Sequence, residues 1–463
     1  MKTAFTPDQL SRPEIAEAAR ILGDCVHYGF CTAVCPTYVL TRDENEGPRG
    51  RIDLMRAMLE RGGAPDAKTV RHIDQCLSCN SCMTTCAAKV DYLHLADIGR
   101  AYIERHYKRP LGDRLTRWLV ASTVPHAGRF RAATRLARLA KPIRGALPPR
   151  LRTMVELAPA RLPARRDATA PGVYPAEGAR RMRVALLTGC AQQALAPHVN
   201  AATIRLLTRH GCEVVVAEGA ACCGALTLHM GREDEAKRAA LSCIAAWGRE
   251  LHHGGLDAIV VNASGCGTTV KDYGHLFAHD SALAERAETI GMRALDVTEL
   301  VGQLGLEEPA QRIPLAVAYH DACSLQHAQK VTAPPRALLR AAGFIVADVP
   351  EKHFCCGSAG TYNLLQPAMA EALGRRKAAH IDSTGAAIVA AGNLGCMTQI
   401  ARFSALPVVH TVELLDWATG GPLPEKLKDV ALPAPEVNAD EPVAAAPAAS
   451  EPAAPADPGD AIW

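Results

Sequence analysis

The sequence predicts a small helical module at the N-terminus, a duplicated α/β region built on parallel sheets, and an irregular acidic tail. Three observations carry this. Seven of the 17 cysteines fall within residues 1–107, in two groups joined by a helical pattern. Between residues 180 and 425 short apolar runs alternate with amphipathic stretches, the pattern of parallel α/β layers. In that same region a set of four cysteines occurs twice at a nearly constant offset.

The 463 residues and net charge of +3 leave room for several domains and exclude a polyelectrolyte. The start, MKTAFTPDQLSRPEIAEAAR, has no apolar signal core, and no run of about 18 apolar residues follows. The chain is therefore expected in the reducing cytosol, where grouped cysteines bind metals or do redox chemistry more often than they form disulfides.

Within 1–107, Ile15, Ala18, Ile21 and Leu22 have helical spacing, and RGRIDLMRAMLERGG reads as a helix closed by Gly62 and Gly63. CLSCNSCMTTC supplies Cys76, Cys79, Cys82 and Cys86 in C-x2-C-x2-C-x3-C spacing. Three thiolates at intervals of three can wrap one iron–sulfur cubane, while the fourth serves a neighbouring cluster. The competing reading is a structural zinc site, which four cysteines packed so closely suit less well. The earlier run, CVHYGFCTAVCP, has Cys25, Cys31 and Cys35 with Tyr28 where the spacing asks for a fourth cysteine. With the ligand exchange of two-cluster ferredoxins, Cys76, Cys79, Cys82 and Cys35 make a complete [4Fe–4S] site. Cys25, Cys31 and Cys86 then make a second site with Tyr28 at its fourth corner. That site suits a [3Fe–4S] cluster, a [4Fe–4S] cluster with one non-thiolate ligand, or a lost cluster with leftover cysteines.

Residues 108–178 hold no cysteine. Between Arg114 and Arg166 there are 13 Lys or Arg and one acid, Glu156, interleaved with Leu, Val and Ala. Such a basic amphipathic stretch fits an anionic membrane surface, an acidic partner subunit, or a solvated linker. No nucleic-acid reader motif accompanies the charge.

The strands expected in the third region are RVALLTG, EVVVAEG, AIVVNAS, LAVAYHD, FIVADVP, AAIVAAGN and LPVVHT. An offset of 133 residues relates Cys190 to Cys323 and the Cys222–Cys223–Gly224 triplet to Cys355–Cys356–Gly357, and 130 relates Cys266 to Cys396. This marks a repeated unit, at 180–305 and 312–425. Cys190, Cys222, Cys223 and Cys266 form one four-thiol site, and Cys323, Cys355, Cys356 and Cys396 the other. Each could hold an iron–sulfur cluster, a zinc ion or a bare redox thiol set. Cys212 and Cys243 have no counterpart and read as buried small residues. His229, His320, His327 and His353 are either ligands, proton carriers or ordinary histidines. Residues 430–463, rich in Ala and Pro and acidic, read as disordered.

Three resemblances follow from these motifs. The wide separation of Cys35 from Cys76, with a helix between, resembles the α-helical ferredoxin domains of respiratory iron–sulfur subunits. The two CCG triplets resemble the cysteine-rich CCG domains of heterodisulfide reductases. That family's signature ends in C-x-x-C, whose first member is here Ala263 or Asn393. The fifth thiolate of its special cluster is therefore missing, which disfavours a stand-alone thiol redox enzyme of that kind. Finally, CVHYGFCTAVCPTYVLTRDENEGPRGRIDLMRAML, with Pro36-Thr37-Tyr38 and Gly47 to Ile52, resembles the iron–sulfur subunits of bacterial glycolate oxidase (glycolate dehydrogenase). That family has Cys where Tyr28 stands and usually Pro at Ala87. The resemblance implies an electron-transfer subunit with no substrate-oxidising site of its own. It implies FAD-binding partner subunits that oxidise glycolate to glyoxylate, and a quinone or other electron acceptor. It also places the chain in the cytoplasm or peripherally on the cytoplasmic face of the inner membrane. The same architecture serves lactate and glycerol-3-phosphate dehydrogenase complexes, and a structural zinc scaffold is a further alternative. No Rossmann glycine fingerprint marks a flavin or nicotinamide site in this chain.

Overall fold

The computed structural model of the chain describes residues 1–159, 161–164 and 169–434. The expected acidic tail lies outside the described residues from 435 onward.

Among the described residues 1–107 are helical and contain no strand. The helices Pro13–Gly23, Pro48–Arg61 and Tyr92–His106 present Ile15, Ile21, Leu22, Met55, Leu59 and Leu95 to one core. Each such fully buried aliphatic contributes about 1.5–3 kcal/mol. Proline at the first turn starts the first two helices. Gly62, with φ at +69°, ends the second, as its sequence implies.

The basic middle segment folds into helices Leu111–Thr123, Ala127–Leu139 and Pro149–Leu157. They are docked rather than free. Val120, Ala121 and Val124 pack with Met230 and Leu226 of the first repeat and Leu364 of the second. Arg131 donates to the carbonyls of Ala194 and Pro163, at 3.0 and 2.9 Å. A solvated linker is therefore not what the sequence encodes. Its inward residues have their partners about 100 and 240 positions further on, beyond the reach of local pattern.

The repeat is present as two sheets of matching topology. The first contains β1 (Gly172–Tyr174), β2 (Met182–Leu187), β3 (Cys212–Val216), β4 (Ala258–Val261) and β5 (Ala294–Asp296), in the order β1-β3-β2-β4-β5. The second contains β6 (Ala316–His320), β7 (Ile345–Asp348), β8 (Ile388–Ala391) and β9 (Val408–His410), in the order β7-β6-β8-β9. Strand for strand, β3-β2-β4-β5 matches β7-β6-β8-β9. All pairings are parallel except β1 with β3. The seven strands expected from apolar runs are all present. The two others, β1 and β5, have three residues each and too little pattern to be read. β1 also lies within the stretch assigned to the basic segment, so the first unit begins before residue 180.

The two sheets share one core, in which Val184, Leu186 and Val260 meet Val317, Tyr319 and Ala390. Polar contacts close the seam: His410 Nε2 lies 2.8 Å from the Asn262 carbonyl, and Arg205 and Arg209 both pair with buried Asp416. The helical module sits against both repeats. The rings of His94 and His275 stack at 3.4 Å, His94 bridges Asp91 and Asp272, and His275 bonds Glu17 at 2.8 Å.

Candidate metal centres

The two N-terminal cysteine runs curl around adjacent cavities. Residues His27, Ser78 and Asn80 take left-handed backbone conformations, with φ of 60°, 49° and 58°. These left-handed turns bend the two loops that carry the cysteines. Cys35, Cys76, Cys79 and Cys82 line one cavity; Cys25, Cys31, Cys82 and Cys86 line the other. The exchange of ligands expected from spacing is therefore available: Cys35 of the first run joins the second, and Cys86 of the second joins the first. Tyr28 lies at the rim of its cavity, 64% exposed, its ring stacked on Phe30 at 6.2 Å.

The GPRGRI stretch explains itself here. A Cβ at Gly50 would lie 2.2 Å from the Glu44 carbonyl oxygen, so only glycine lets the helix pack on the preceding turn. Arg51, one residue on, is 1% exposed. It donates to the His72 carbonyl at 2.7 Å, to Thr37 Oγ1 at 3.1 Å and to Glu46 at 2.7 Å, with Cys35 Sγ at 3.9 Å. Burial raises the Cys76 thiol, but Arg51 and then Arg100 outweigh it, so Cys76 ends below the ordinary thiol value. By contrast, burial pushes Cys79 and Cys82 well up, with neighbouring cysteines adding to the shift. Thiolates crowded this closely in one buried pocket repel one another unless a cation compensates them. The donor set therefore fits an iron–sulfur core, whose ligands are thiolates.

In the repeats the cysteine pairs lie in the loops that follow β3 and β7. Gly224 and Gly357 follow them at φ of +89° and +87°; a Cβ there would meet the Ala236 or Ala370 carbonyl oxygen at 2.7 or 2.6 Å. This close approach brings a helix over each pair. In the first unit Cys190 opens the helix Cys190–Leu195 and Cys266 lies in Ser264–Lys271. The thiols meet in two pairs, Cys190 with Cys222 and Cys223 with Cys266. Hydrogen bonding from Cys190, aided by the Gly224 amide and opposed by burial, brings Cys222 down to about 7. Cys243 is wholly buried in the core, as expected, yet its Sγ also lies 3.3 Å from the Cys222 carbonyl, a neighbourhood that sequence gave no means to see.

In the second unit Cys323 and Cys355 stand 3.8 Å apart, and Cys356 contacts both Cys355 and Cys396. Asn393, which replaces the missing fifth cysteine, accepts from the Gly395 amide at 3.2 Å and caps the helix Leu394–Ile400. The four histidines separate clearly. His320 is buried beside Cys356 and Cys396, and burial followed by Lys377 keeps it neutral, down to about 3. His327 bridges Thr84 and the His353 carbonyl, both at 3.0 Å. His353 is packed edge-on against Phe354, and His229 faces Asp97 at 3.8 Å. Leu77 of the second ferredoxin-type run packs with Cys355 in one apolar cluster that Cys79 and Cys323 flank. The complete N-terminal site and the second repeat are thus immediate neighbours.

Comparison with known proteins agrees with this layout. A 4Fe-4S dicluster domain matches residues 21–90, and a cysteine-rich domain (CCG) matches residues 184–271 and 317–401. The glycolate oxidase iron-sulfur subunit of Escherichia coli (strain K12) is 40% identical over 90% of this chain and 99% of its own length. The probable glycolate oxidase iron-sulfur subunit of Bacillus subtilis (strain 168) is 32% identical over 86% of this chain and 94% of its own. Lactate utilization protein A of Shouchella clausii is 29% identical over 47% of this chain and 90% of its own.

Proposed function

Because the chain belongs to the family of glycolate oxidase iron–sulfur subunits, we propose that it relays electrons from glycolate to a quinone or other acceptor. It serves as an electron-transfer subunit and carries iron–sulfur clusters. When bound, these supply one-electron uptake and release. The chain's own residues hold them close together, bury them, and set the charge around them. The observation that carries the reading is the pair of adjacent cysteine-lined cavities in the helical module, one lined by Cys35, Cys76, Cys79 and Cys82, the other by Cys25, Cys31, Cys82 and Cys86. An oxidoreductase subunit needs such a contiguous run of redox sites; a zinc scaffold does not.

In this reading Cys35, Cys76, Cys79 and Cys82 hold a [4Fe–4S] cluster. Cys25, Cys31 and Cys86 hold a second, three-thiolate cluster. Partner subunits carrying FAD perform the oxidation to glyoxylate. Glycolate is favoured over lactate because the glycolate oxidase relatives align along nearly the whole chain, whereas the lactate utilization proteins align over about half.

No helix among the described residues is long and apolar enough to cross a membrane. The basic middle segment offers a peripheral contact instead. It exposes Leu111, Leu115, Trp118, Leu136, Leu139 and Ile143 among its arginines, a combination that suits an anionic membrane surface. Anaerobic reconstitution with the FAD subunits tests the reading: glycolate should reduce the chain's clusters, and loss of Cys79 should abolish electron delivery to a quinone.

A further inference from the structure

The two repeats share a fold but not a donor set. His320 ends β6 at 1% exposure, and neither ring nitrogen has a hydrogen-bond partner among the described residues. Its donor atom, Cys356 Sγ and Cys396 Sγ all lie within 4.8 Å of one another. Counting back the 133-residue offset from His320 reaches Leu187, an apolar residue buried in the first unit's core. The helices over the cysteine pairs differ in the same sense. Ala236 and Ala370 cover equivalent glycines; seven residues on stand Cys243 in the first unit and Lys377 in the second. The first unit therefore offers sulfur alone, and the second offers sulfur, an imidazole and a nearby cation.

We propose that the second repeat holds a single zinc ion, bound by His320 together with Cys355, Cys356 and Cys396. A buried imidazole with both nitrogens unpaired is costly, and a metal bond on one of them removes that cost. Neutral imidazole and thiolate are the ligands zinc takes in closed structural sites. With bonds of about 2.0–2.3 Å, tetrahedral ligand atoms stand about 3.3–3.8 Å apart. The grouped atoms of His320, Cys356 and Cys396 need only a modest contraction to reach this, and Cys355, outside that group but in contact with Cys356, turns in as the fourth ligand. A cubane spreads its ligands over four irons and needs wider spacing. Three thiolates leave such a site with one negative charge. Lys377, 2% exposed and held by the Glu351 carbonyl at 2.9 Å, lies close enough to offset it. The site goes beyond the electron-relay reading: zinc changes no oxidation state, so it would fix the wall against which the complete N-terminal cluster packs.

The test is metal analysis of the full chain purified without oxygen, with zinc K-edge absorption. About one zinc per chain is expected, with one nitrogen and three sulfur neighbours. His320→Leu, which installs the first unit's residue, should lower zinc at least tenfold while iron stays constant. His320→Cys should keep the zinc with an all-sulfur shell, which guards against simple misfolding. Wild-type protein with its full iron but no zinc, an all-sulfur shell in wild type, or zinc retained in His320→Leu would each overturn the assignment. Zinc content is independent of substrate, so a failure of the glycolate reading and a failure of this one are told apart.

Discussion

Thr84 Oγ1 and His327 Nδ1, 243 residues apart in sequence, share a 3.0 Å hydrogen bond. It ties the turn after Cys82 to the π-helical turn after Cys323, and so fixes the N-terminal cysteine sites against those of the second repeat. Thr84→Val leaves His327 with an unpaired nitrogen and should cost about 1–3 kcal/mol. The double change with His327→Leu should cost less than the sum of the single ones. Chemical denaturation of all four proteins measures this, and strict additivity would show the bond to be idle.

Arg51 places a buried positive charge beside Cys35 and Cys76. A cluster there gains negative charge on reduction, so this guanidinium should raise its potential. Arg51→Gln should lower the midpoint in an EPR redox titration, and Arg51→Lys should lower it less. The Gln variant also takes the guanidinium from buried Glu46, which keeps His72 at 2.6 Å, a loss of up to about 3–5 kcal/mol that thermal unfolding would reveal.

Tyr28 has its ring turned outward, stacked on Phe30, so the fourth corner of its site receives no thiolate. Tyr28→Phe should leave iron content and EPR unchanged. Tyr28→Cys should add iron and replace a three-iron signal in the oxidised protein with a stable four-iron cluster. An unchanged iron count in the Cys variant would contradict this account of the site.

The His94 bridge predicts a pH dependence. Burial opposes protonation, but hydrogen bonds to Asp272 and Asp91 outweigh it and raise His94 to about 10. The folded value lies above the unfolded one of about 6.5. The bridge's stabilisation is therefore complete below about pH 6.5 and declines as pH rises toward 10. Asp272→Asn should flatten the melting temperature between those limits; an unaltered slope would remove His94 from the explanation.

The basic segment makes the remaining prediction. The whole chain should float with anionic vesicles at low salt, and Trp118→Glu with Leu115→Glu should weaken that at least tenfold. Equal binding to neutral vesicles, or none to anionic ones, would leave the exposed leucines without this role.

Much of this was legible in sequence because ligand spacing is local. The exchange of Cys35 and Cys86 is an expectation from the run spacing, and each of the two lines a cavity with cysteines of the other run, while Cys82 lines both. The duplication was legible because eight cysteines keep a near-constant offset, and matching strand orders bear it out. Three things were not legible. The docking of Val120 and Val124 depends on Met230 and Leu364, which no local period reveals. β1 and β5 are too short to show alternation. His320 differs from any other buried histidine only through what lies around it in three dimensions.

The central claim, electron entry from glycolate, has one direct measurement. The oxidised chain, reconstituted with the FAD subunits proposed as its partners, is mixed anaerobically with glycolate and frozen for EPR. The account expects a reduced [4Fe–4S] signal that is lost in Cys79→Ser, with lactate and glycerol-3-phosphate far less effective. Clusters that stay oxidised with glycolate but are reduced by lactate or glycerol-3-phosphate would contradict it.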